Sequence, residues 1–190
     1  MRAAVCLALL LSVVSSVAFA QADPALLARL REGGYVLYLR HASTDMSRND
    51  AGMKSYEDCA SQRDLTDKGR AEALAIGTHV RRLKIPIGEV LASPFCRTMD
   101  TARLAFGRAQ ATGEVRGGPV QASRYEALKK LLSTPVPRGE NRVISSHGNP
   151  FYALAGAPYL AEGEMAVVRP RGSGFAVVGR LRVEDWQLLE

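Results

Sequence analysis

Four side chains in this sequence have the chemistry to bind and attack a phosphoryl group. Arg40 and His41 come directly after one strand-like segment, Arg97 follows a second, and His147 follows a third. Arginine has a planar, permanently charged fork that binds two phosphate oxygens at once. Histidine has an unperturbed pKa near 6.5, so one ring nitrogen is free to act as a nucleophile near neutral pH. If the fold brings these four residues together, they form a phosphate pocket that contains a nucleophile.

Alternating helices and strands are expected to position these side chains. The hydrophobic periodicity and the turn and cap residues indicate where each element begins and ends. The predicted helices are 25–31, 67–84 with Thr66 as cap, 94–106, 125–132 and one that starts at Asn149 and Pro150; the predicted strands are 35–39, 90–92, 142–146 and a hairpin of 165–169 with 175–181.

Strands separated by helices predict an α/β fold, in which a mostly parallel central sheet is flanked by helices as a three-layer sandwich. The sites of such sheets lie beyond the C-terminal ends of the strands. His41, Arg97 and His147 all fall at or just after a predicted strand end. We therefore expect them to converge on one edge of the sheet. The irregular loops 43–64 and 107–123 are expected to shape the mouth of the pocket, the first as a wall or lid.

The first twenty residues have the pattern of a secretory signal peptide. Arg2 supplies a positive charge, the stretch 3–17 is apolar, and Ala18-Phe19-Ala20 is a small-x-small cleavage site. A membrane-spanning helix needs about 20 predominantly apolar residues, and this stretch is short and rich in serine. We therefore expect residues 1–20 to be removed. Residues 21–190 should then fold as one domain that is periplasmic or secreted, without stable membrane insertion.

Two cysteines remain after the predicted cleavage, Cys59 and Cys96. Disulfides persist in oxidising compartments, so these two residues are candidates for a disulfide. Such a bond would tether the loop after Thr44 close to Arg97. Two buried free thiols are the alternative.

Composition and missing motifs narrow the range of partners. The net charge of +6 comes mostly from scattered arginines, which is typical of a solvated surface, and no nucleic-acid-binding motif is present. The sequence lacks the common zinc, dinucleotide and P-loop motifs, and no carboxylates cluster with the site histidines. We therefore expect no metal, no cofactor and no nucleic acid. The expected partner is a small phosphorylated substrate, and no motif specifies an oligomeric state.

Four short motifs stand in order along the chain. They are Leu39-Arg40-His41-Ala42-x-Thr44, Leu65-Thr66-x-x-Gly69, Ser93-Pro94-x-x-Arg97-Thr98-x-x-Thr101-Ala102 and Ser146-His147-Gly148. Together they resemble the histidine phosphatase superfamily, which includes the phosphoglycerate mutase-like enzymes, in an exported bacterial-type branch. The resemblance implies that His41 is the nucleophile that becomes a phosphohistidine. It also implies that Arg40, Arg97 and His147 bind the phosphoryl group.

The family's general acid does not carry over directly. In the family it is often a Glu shortly after the helix of the second arginine, or an Asp after the second His-Gly. Position 149 is Asn, which excludes the Asp version, so Glu126 and Glu164 are the candidates. For each, a solvated surface carboxylate is the alternative. A phosphohistidine or another activated phosphate would need no strong acid.

The predicted function is therefore that of a metal-independent phosphatase, which hydrolyses phosphomonoesters through a phosphohistidine on His41. Two alternatives remain open. One is a phosphomutase that returns the phosphate to its substrate. The other is a non-catalytic module that binds phosphorylated ligands of the cell envelope with the same pocket.

Overall fold

The computed structural model describes residues 24–189, so the predicted signal peptide, residues 1–20, lies outside the described residues. Helices and strands alternate along the chain as the sequence predicts. The elements are α1 Pro24–Glu32, β1 Val36–Arg40, α2 Asp67–Arg82, β2 Ile87–Ala92, α3 Cys96–Phe106, β3 Gln110–Ala111, α4 Glu126–Ser133, β4 Asn141–Ser146, α5 Gly148–Ala155, β5 Met165–Pro170 and β6 Phe175–Leu181. Short 3₁₀ helices lie at Cys59–Ser61, Gly113–Val115, Ala122–Arg124 and Val183–Leu189.

The strands form one six-stranded sheet in the order β3-β2-β4-β1-β5-β6. The first four are mutually parallel, and β5 runs antiparallel to both of its neighbours. The fold prediction is confirmed: this is an α/β fold with a mixed central sheet between layers of helices. The predicted hairpin of the last two strands is present as β5 and β6, and it supplies the antiparallel part.

The two faces of the sheet hold separate apolar cores, because side chains alternate along a strand. In β1, Leu37 and Leu39 pack with α1, α2 and α3 on one face, whereas Val36 and Tyr38 pack with α4 and α5 on the other. All four are fully buried. A central strand that is covered on both faces has a continuous apolar sequence, and this is the pattern that precedes Arg40.

The helix that precedes β2 begins as predicted. Thr66 caps α2, and its hydroxyl oxygen accepts a hydrogen bond from the backbone nitrogen of Gly69 at 3.0 Å. Further along, Gly77 allows α2 to approach α3 closely, because a Cβ there would lie 2.1 Å from the carbonyl oxygen of Ala105. α3 itself ends at Gly107, which adopts the left-handed conformation with φ of 74°.

Two local predictions are wrong. Helix α5 begins at Gly148 with His147 as its N-cap, so Asn149 is not the cap. The Asn149 side chain instead donates to the carbonyl of Gly118 and accepts from the hydroxyl of Tyr159. The short strand β3 and the 3₁₀ helix Gly113–Val115 lie in what the sequence predicts as surface loop. Gln110 and Ala111 are exposed, so no apolar run marks that strand.

A disulfide joins Cys59 to Cys96, with the two Cα atoms 5.7 Å apart. The bond attaches the 43–64 loop to the first residue of α3. Gln62 reinforces the attachment, because its side-chain oxygen accepts a hydrogen bond from the backbone nitrogen of Cys96 at 2.9 Å. Disulfides are typical of oxidising compartments, so this bond is compatible with an extracytoplasmic location. Between residues 24 and 189, no helix has both the length and the apolar character needed to cross a membrane.

Candidate active site

The four predicted site residues meet at one edge of the sheet. Arg40 ends β1, His41 follows it, His147 follows β4, and Arg97 lies in the first turn of α3 after β2. Because these three strands are parallel neighbours, their C-terminal ends lie side by side. All four residues line one cavity of about 280 Å³. The remaining lining residues are Asp50, Arg63, Phe95, Gly117, Gly118, Gly148, Asn149 and Tyr159.

His41 is held as a neutral ring with one free nitrogen. Its side chain is buried, and Nδ1 lies 3.0 Å from the carbonyl oxygen of Ala42. A carbonyl can only accept a hydrogen bond, so Nδ1 carries the proton and Nε2 keeps its lone pair. Burial lowers the pKa of His41 from 6.5 to about 3, and the positive charges of Arg97 and Arg40 act in the same direction. Nε2 is therefore available as a nucleophile near neutral pH.

His147 is fixed from several sides. Its Nε2 lies 2.8 Å from the hydroxyl oxygen of Ser93, and its backbone carbonyl accepts a hydrogen bond from the Tyr38 hydroxyl at 2.7 Å. The ring packs edge-on against Phe95, with 5.2 Å between centroids. A Cβ on Gly117 would lie 2.8 Å from the ring, so only glycine fits there without displacing it. Burial lowers the pKa of His147 well below its ordinary value, and this ring is also neutral.

Arg40 is anchored so that part of its guanidinium remains unpaired. Nη1 donates to the carbonyl of Leu160 at 2.6 Å, and Nη2 lies 3.5 Å from a carboxylate oxygen of Glu162. The guanidinium also lies 5.2 Å from the ring centroid of Tyr159. Its Nε is buried and has no hydrogen-bond partner among residues 24–189.

Arg97 is anchored in a similar way. Nη1 donates to Asp50 at 3.0 Å, and the guanidinium lies 4.5 Å from the ring centroid of Phe95. Within the described part of the chain, its Nε is also buried without a partner, as is the Nε of Arg63. Three arginines that line the same cavity therefore each keep a buried donor without an acceptor. Buried donors are nearly always paired in proteins, and the oxygens of a bound phosphate would supply acceptors here.

Asp50 and Arg63 are site residues that the sequence analysis did not identify. Both come from the 43–64 loop, and the backbone nitrogen of Arg63 donates to Asp50 at 2.9 Å. The loop therefore forms a wall of the cavity, in agreement with the prediction for it. No strand end or periodic pattern precedes either residue, so the signals were their presence in a long polar loop and the candidate disulfide that ties this loop to Cys96, next to Arg97. Gly117 and Gly118 bring the second predicted loop to the cavity mouth.

Neither predicted acid lies in the cavity. Glu126 is the first residue of α4, where its carboxylate is exposed and 3.7 Å from the ammonium group of Lys129. Glu164 is buried, but its carboxylate accepts a hydrogen bond from the backbone nitrogen of Ala161 and lies 3.5 Å from Arg180. Among the described residues, Asp50 is the carboxylate that lines the cavity.

Comparison with known proteins agrees with this geometry. The family described as the histidine phosphatase superfamily (branch 1) matches residues 36–117, which contain Arg40, His41 and Arg97. No curated protein sequence matches the chain.

Solved structures share the fold over nearly their whole length. The protein histidine phosphatase SixA complexed with tungstate is 18% identical, with 80% of this chain and 98% of that chain covered and a TM-score of 0.54. A phosphoserine phosphatase mutant from Entamoeba histolytica in complex with phosphoserine is 11% identical, with coverages of 82% and 99% and a TM-score of 0.55. The putative phosphohistidine phosphatase SixA from Agrobacterium tumefaciens is 17% identical, with coverages of 78% and 97% and a TM-score of 0.55. At these identities the likeness establishes the fold.

Proposed function

Because residues 36–117 match the histidine phosphatase superfamily (branch 1), we propose that the chain is a member of it and acts as a metal-independent phosphatase that hydrolyses phosphomonoesters through a phosphohistidine on His41. The observation that carries the proposal is the state of His41. Its Nδ1 proton is engaged by the Ala42 carbonyl, and its lowered pKa leaves Nε2 unprotonated. A neutral nucleophile beside Arg40 and Arg97 is suited to attack a phosphoryl group.

In the first step, Nε2 of His41 attacks phosphorus and the bond from phosphorus to the leaving atom breaks. That atom is an oxygen in a phosphomonoester and a nitrogen in a phosphohistidine. The leaving group departs with the bond's electron pair, and the phosphoryl group stays on His41. Arg40 and Arg97 offset the negative charge on the phosphoryl oxygens as it is redistributed. With the Ser93 hydroxyl donating to Nε2 of His147, the neutral ring of His147 would donate its Nδ1–H to one of those oxygens.

In the second step, water attacks phosphorus on the face opposite the imidazole. The N–P bond breaks, Nε2 recovers its lone pair, and inorganic phosphate leaves with the oxygen of the water. The arginines serve both steps, because the charge that they offset is the same. The imidazole returns to the neutral form that burial already favours.

The leaving group is proposed to be a good one, as in a phosphohistidine or an aryl phosphate. Asp50, the carboxylate that lines the cavity among the described residues, accepts hydrogen bonds from Arg97 and from the backbone of Arg63. That arrangement suits an acceptor rather than a proton donor. Without a donor, a poor leaving group would depart slowly. SixA, one of the similar structures, is named as a protein histidine phosphatase, and the imidazole of a phosphohistidine is a good leaving group.

We also propose that residues 1–20 are a signal peptide, that residues 21–190 form one domain, and that the protein acts in the periplasm or outside the cell. The disulfide between Cys59 and Cys96 supports this location, because such bonds are rare in the reducing cytosol.

The proposal is tested with the exported protein, purified and incubated with an aryl phosphate in EDTA. The wild type should release phosphate, and the rate of release by His41→Ala should be at least about a thousandfold lower. His79→Ala is the matched control, because His79 lies on α2 and is not among the residues that line the cavity. Circular dichroism and melting curves should show that all three proteins are folded.

Other outcomes would point to other functions. Hydrolysis that survives in His41→Ala would refute the nucleophile assignment. Transfer of phosphate between positions of a substrate, with little release, would indicate a mutase. A folded wild type without either activity, but stabilised against melting by phosphate, would indicate a binding module.

A further inference from the structure

Glu162 lies behind the site, in the segment between α5 and β5. Its carboxylate accepts two hydrogen bonds from Thr44, one from the backbone nitrogen at 3.1 Å and one from the hydroxyl at 2.7 Å. The same carboxylate lies 3.5 Å from Nη2 of Arg40 and 3.8 Å from Nδ1 of His41. Glu162 is not among the residues that line the cavity. It therefore contacts the site from the side of His41 that bears the Nδ1 proton.

We infer that Glu162 is a positioning residue that offsets the positive charge of the His41 ring during phosphoryl transfer. The inference rests on the proposed function. When Nε2 forms its bond to phosphorus, Nδ1 keeps its proton, so the ring changes from neutral to cationic. A carboxylate 3.8 Å from Nδ1 stabilises the cationic ring more than the neutral ring. It therefore lowers the barrier of the first step.

The negative charge of Glu162 favours phosphoryl transfer to His41 but disfavours the binding of free phosphate. Nη1 of Arg40 donates to the Leu160 carbonyl, and its buried Nε has no partner among the residues that the structure describes. A phosphate is therefore expected to bind that Nε. Glu162 lies 3.5 Å from another nitrogen of this guanidinium, and its negative charge repels a phosphate dianion there. Removing the charge should tighten phosphate binding while slowing the transfer. Loss of a residue that only supported the fold would weaken both.

Glu72 provides a matched control, because it binds Ser43, the residue next to the Thr44 that Glu162 binds. Its carboxylate accepts one hydrogen bond from the backbone nitrogen of Ser43 and one from the hydroxyl of Ser43, both at 3.0 Å. These are the same two kinds of bond that Glu162 makes with the next residue. The ion-pair partner of Glu72 is Lys68 rather than Arg40. Glu72→Gln therefore removes a similar anchor of the loop without removing charge beside His41.

The experiment compares the wild type, Glu162→Gln, Glu162→Asp and Glu72→Gln in two measurements. The first is the rate of aryl alcohol release in the first turnover at saturating substrate. The second is the Kd of inorganic phosphate by calorimetry, which needs no turnover. Glu162→Gln should slow the first turnover about tenfold and lower the phosphate Kd about threefold, because both follow from one lost charge. Glu162→Asp should lie closer to the wild type, and Glu72→Gln should match it.

Two results would overturn the inference while leaving the proposed function intact. In one, Glu162→Gln turns over and binds phosphate as the wild type does. In the other, both Gln variants lose rate and phosphate affinity together, which would make Glu162 a structural anchor only. If the folded wild type hydrolyses no aryl phosphate, the proposed function fails and the inference that rests on it fails as well.

Discussion

Lowering the pH from 7 to 5 should destabilise the protein through the two buried histidines of the site. The pKa of His41 is lowered from 6.5 to about 3, and that of His147 is lowered well below 6.5, mainly because both rings are buried. In the unfolded chain both titrate near their ordinary value. The unfolded state therefore binds protons that the folded state does not bind. The stability that depends on the two buried rings staying neutral is complete above pH 6.5 and is lost as the pH falls toward 3.

The size of the effect follows from the pKa of His41. A pH of 5 is about 1.5 units below the pKa of the ring in the unfolded chain. Each of these units corresponds to about 1.4 kcal/mol in the free energy of unfolding. His41 alone should therefore lower the free energy of unfolding by about 2 kcal/mol between pH 7 and pH 5, and His147 should act in the same direction. That loss is large beside a typical total stability of about 5–15 kcal/mol.

The assay is urea unfolding at pH 7 and pH 5, in a buffer free of phosphate so that no bound anion favours a charged ring. His41→Gln is compared with the wild type, because glutamine is polar but does not titrate. The carboxylates titrate in both proteins, so the difference between the two pH dependences isolates His41. The free energy of unfolding of the variant should fall by about 2 kcal/mol less than that of the wild type. Equal falls would mean that His41 is already protonated at pH 5 in the folded protein, and would refute the lowered pKa of the buried ring.

Two substitutions test how the site is supported. Gly117→Ala should lower kcat at least about tenfold with little change in Tm, because a Cβ there would lie 2.8 Å from the ring of His147 and displace it. Gly113→Ala is the control, because a Cβ at Gly113 meets nothing within 4 Å. Normal turnover by Gly117→Ala would contradict this account of how His147 is held. Cys59→Ser should lower the free energy of unfolding by about 4 kcal/mol in the chain-entropy model for a separation of 37 residues from Cys96. Reducing the wild type with a dithiol should lower its urea midpoint similarly, and an unchanged midpoint would show that the bond does not stabilise the fold.

The location of the core site residues was predictable because a simple geometric rule governs them. Parallel strands begin and end together, so polar residues that directly follow buried strands meet at one edge of the sheet. His41 and His147 follow neighbouring strands, and Arg97 lies in the first turn after a third. Only local features of the sequence, the apolar runs and the residues after them, were needed.

The residues contributed by loops were not predictable in this way. Asp50 and Arg63 reach the cavity because the 43–64 loop is tied to α3 by the disulfide and by the hydrogen bond of Gln62. The disulfide was a candidate from the two cysteines alone, but the hydrogen bond of Gln62 joins residues that are distant along the chain, and no periodic pattern encodes it. The predicted acid Glu164 illustrates the same point. It pairs with Arg180, whereas Glu162, two residues earlier, contacts the nucleophile.

The burial that makes this site sensitive to acid is also what prepares it for chemistry. A water-exposed histidine would be partly protonated near neutral pH, whereas the buried ring of His41 keeps Nε2 unprotonated. Arg40 and Arg97 are held by the Leu160 carbonyl and by Asp50, so each guanidinium is fixed before a ligand arrives while its Nε stays unpaired. The donors therefore need no rearrangement when a phosphoryl group enters, and groups that are already oriented stabilise developing charge most effectively. A bound phosphate would satisfy those donors, so the wild type should gain stability when phosphate binds.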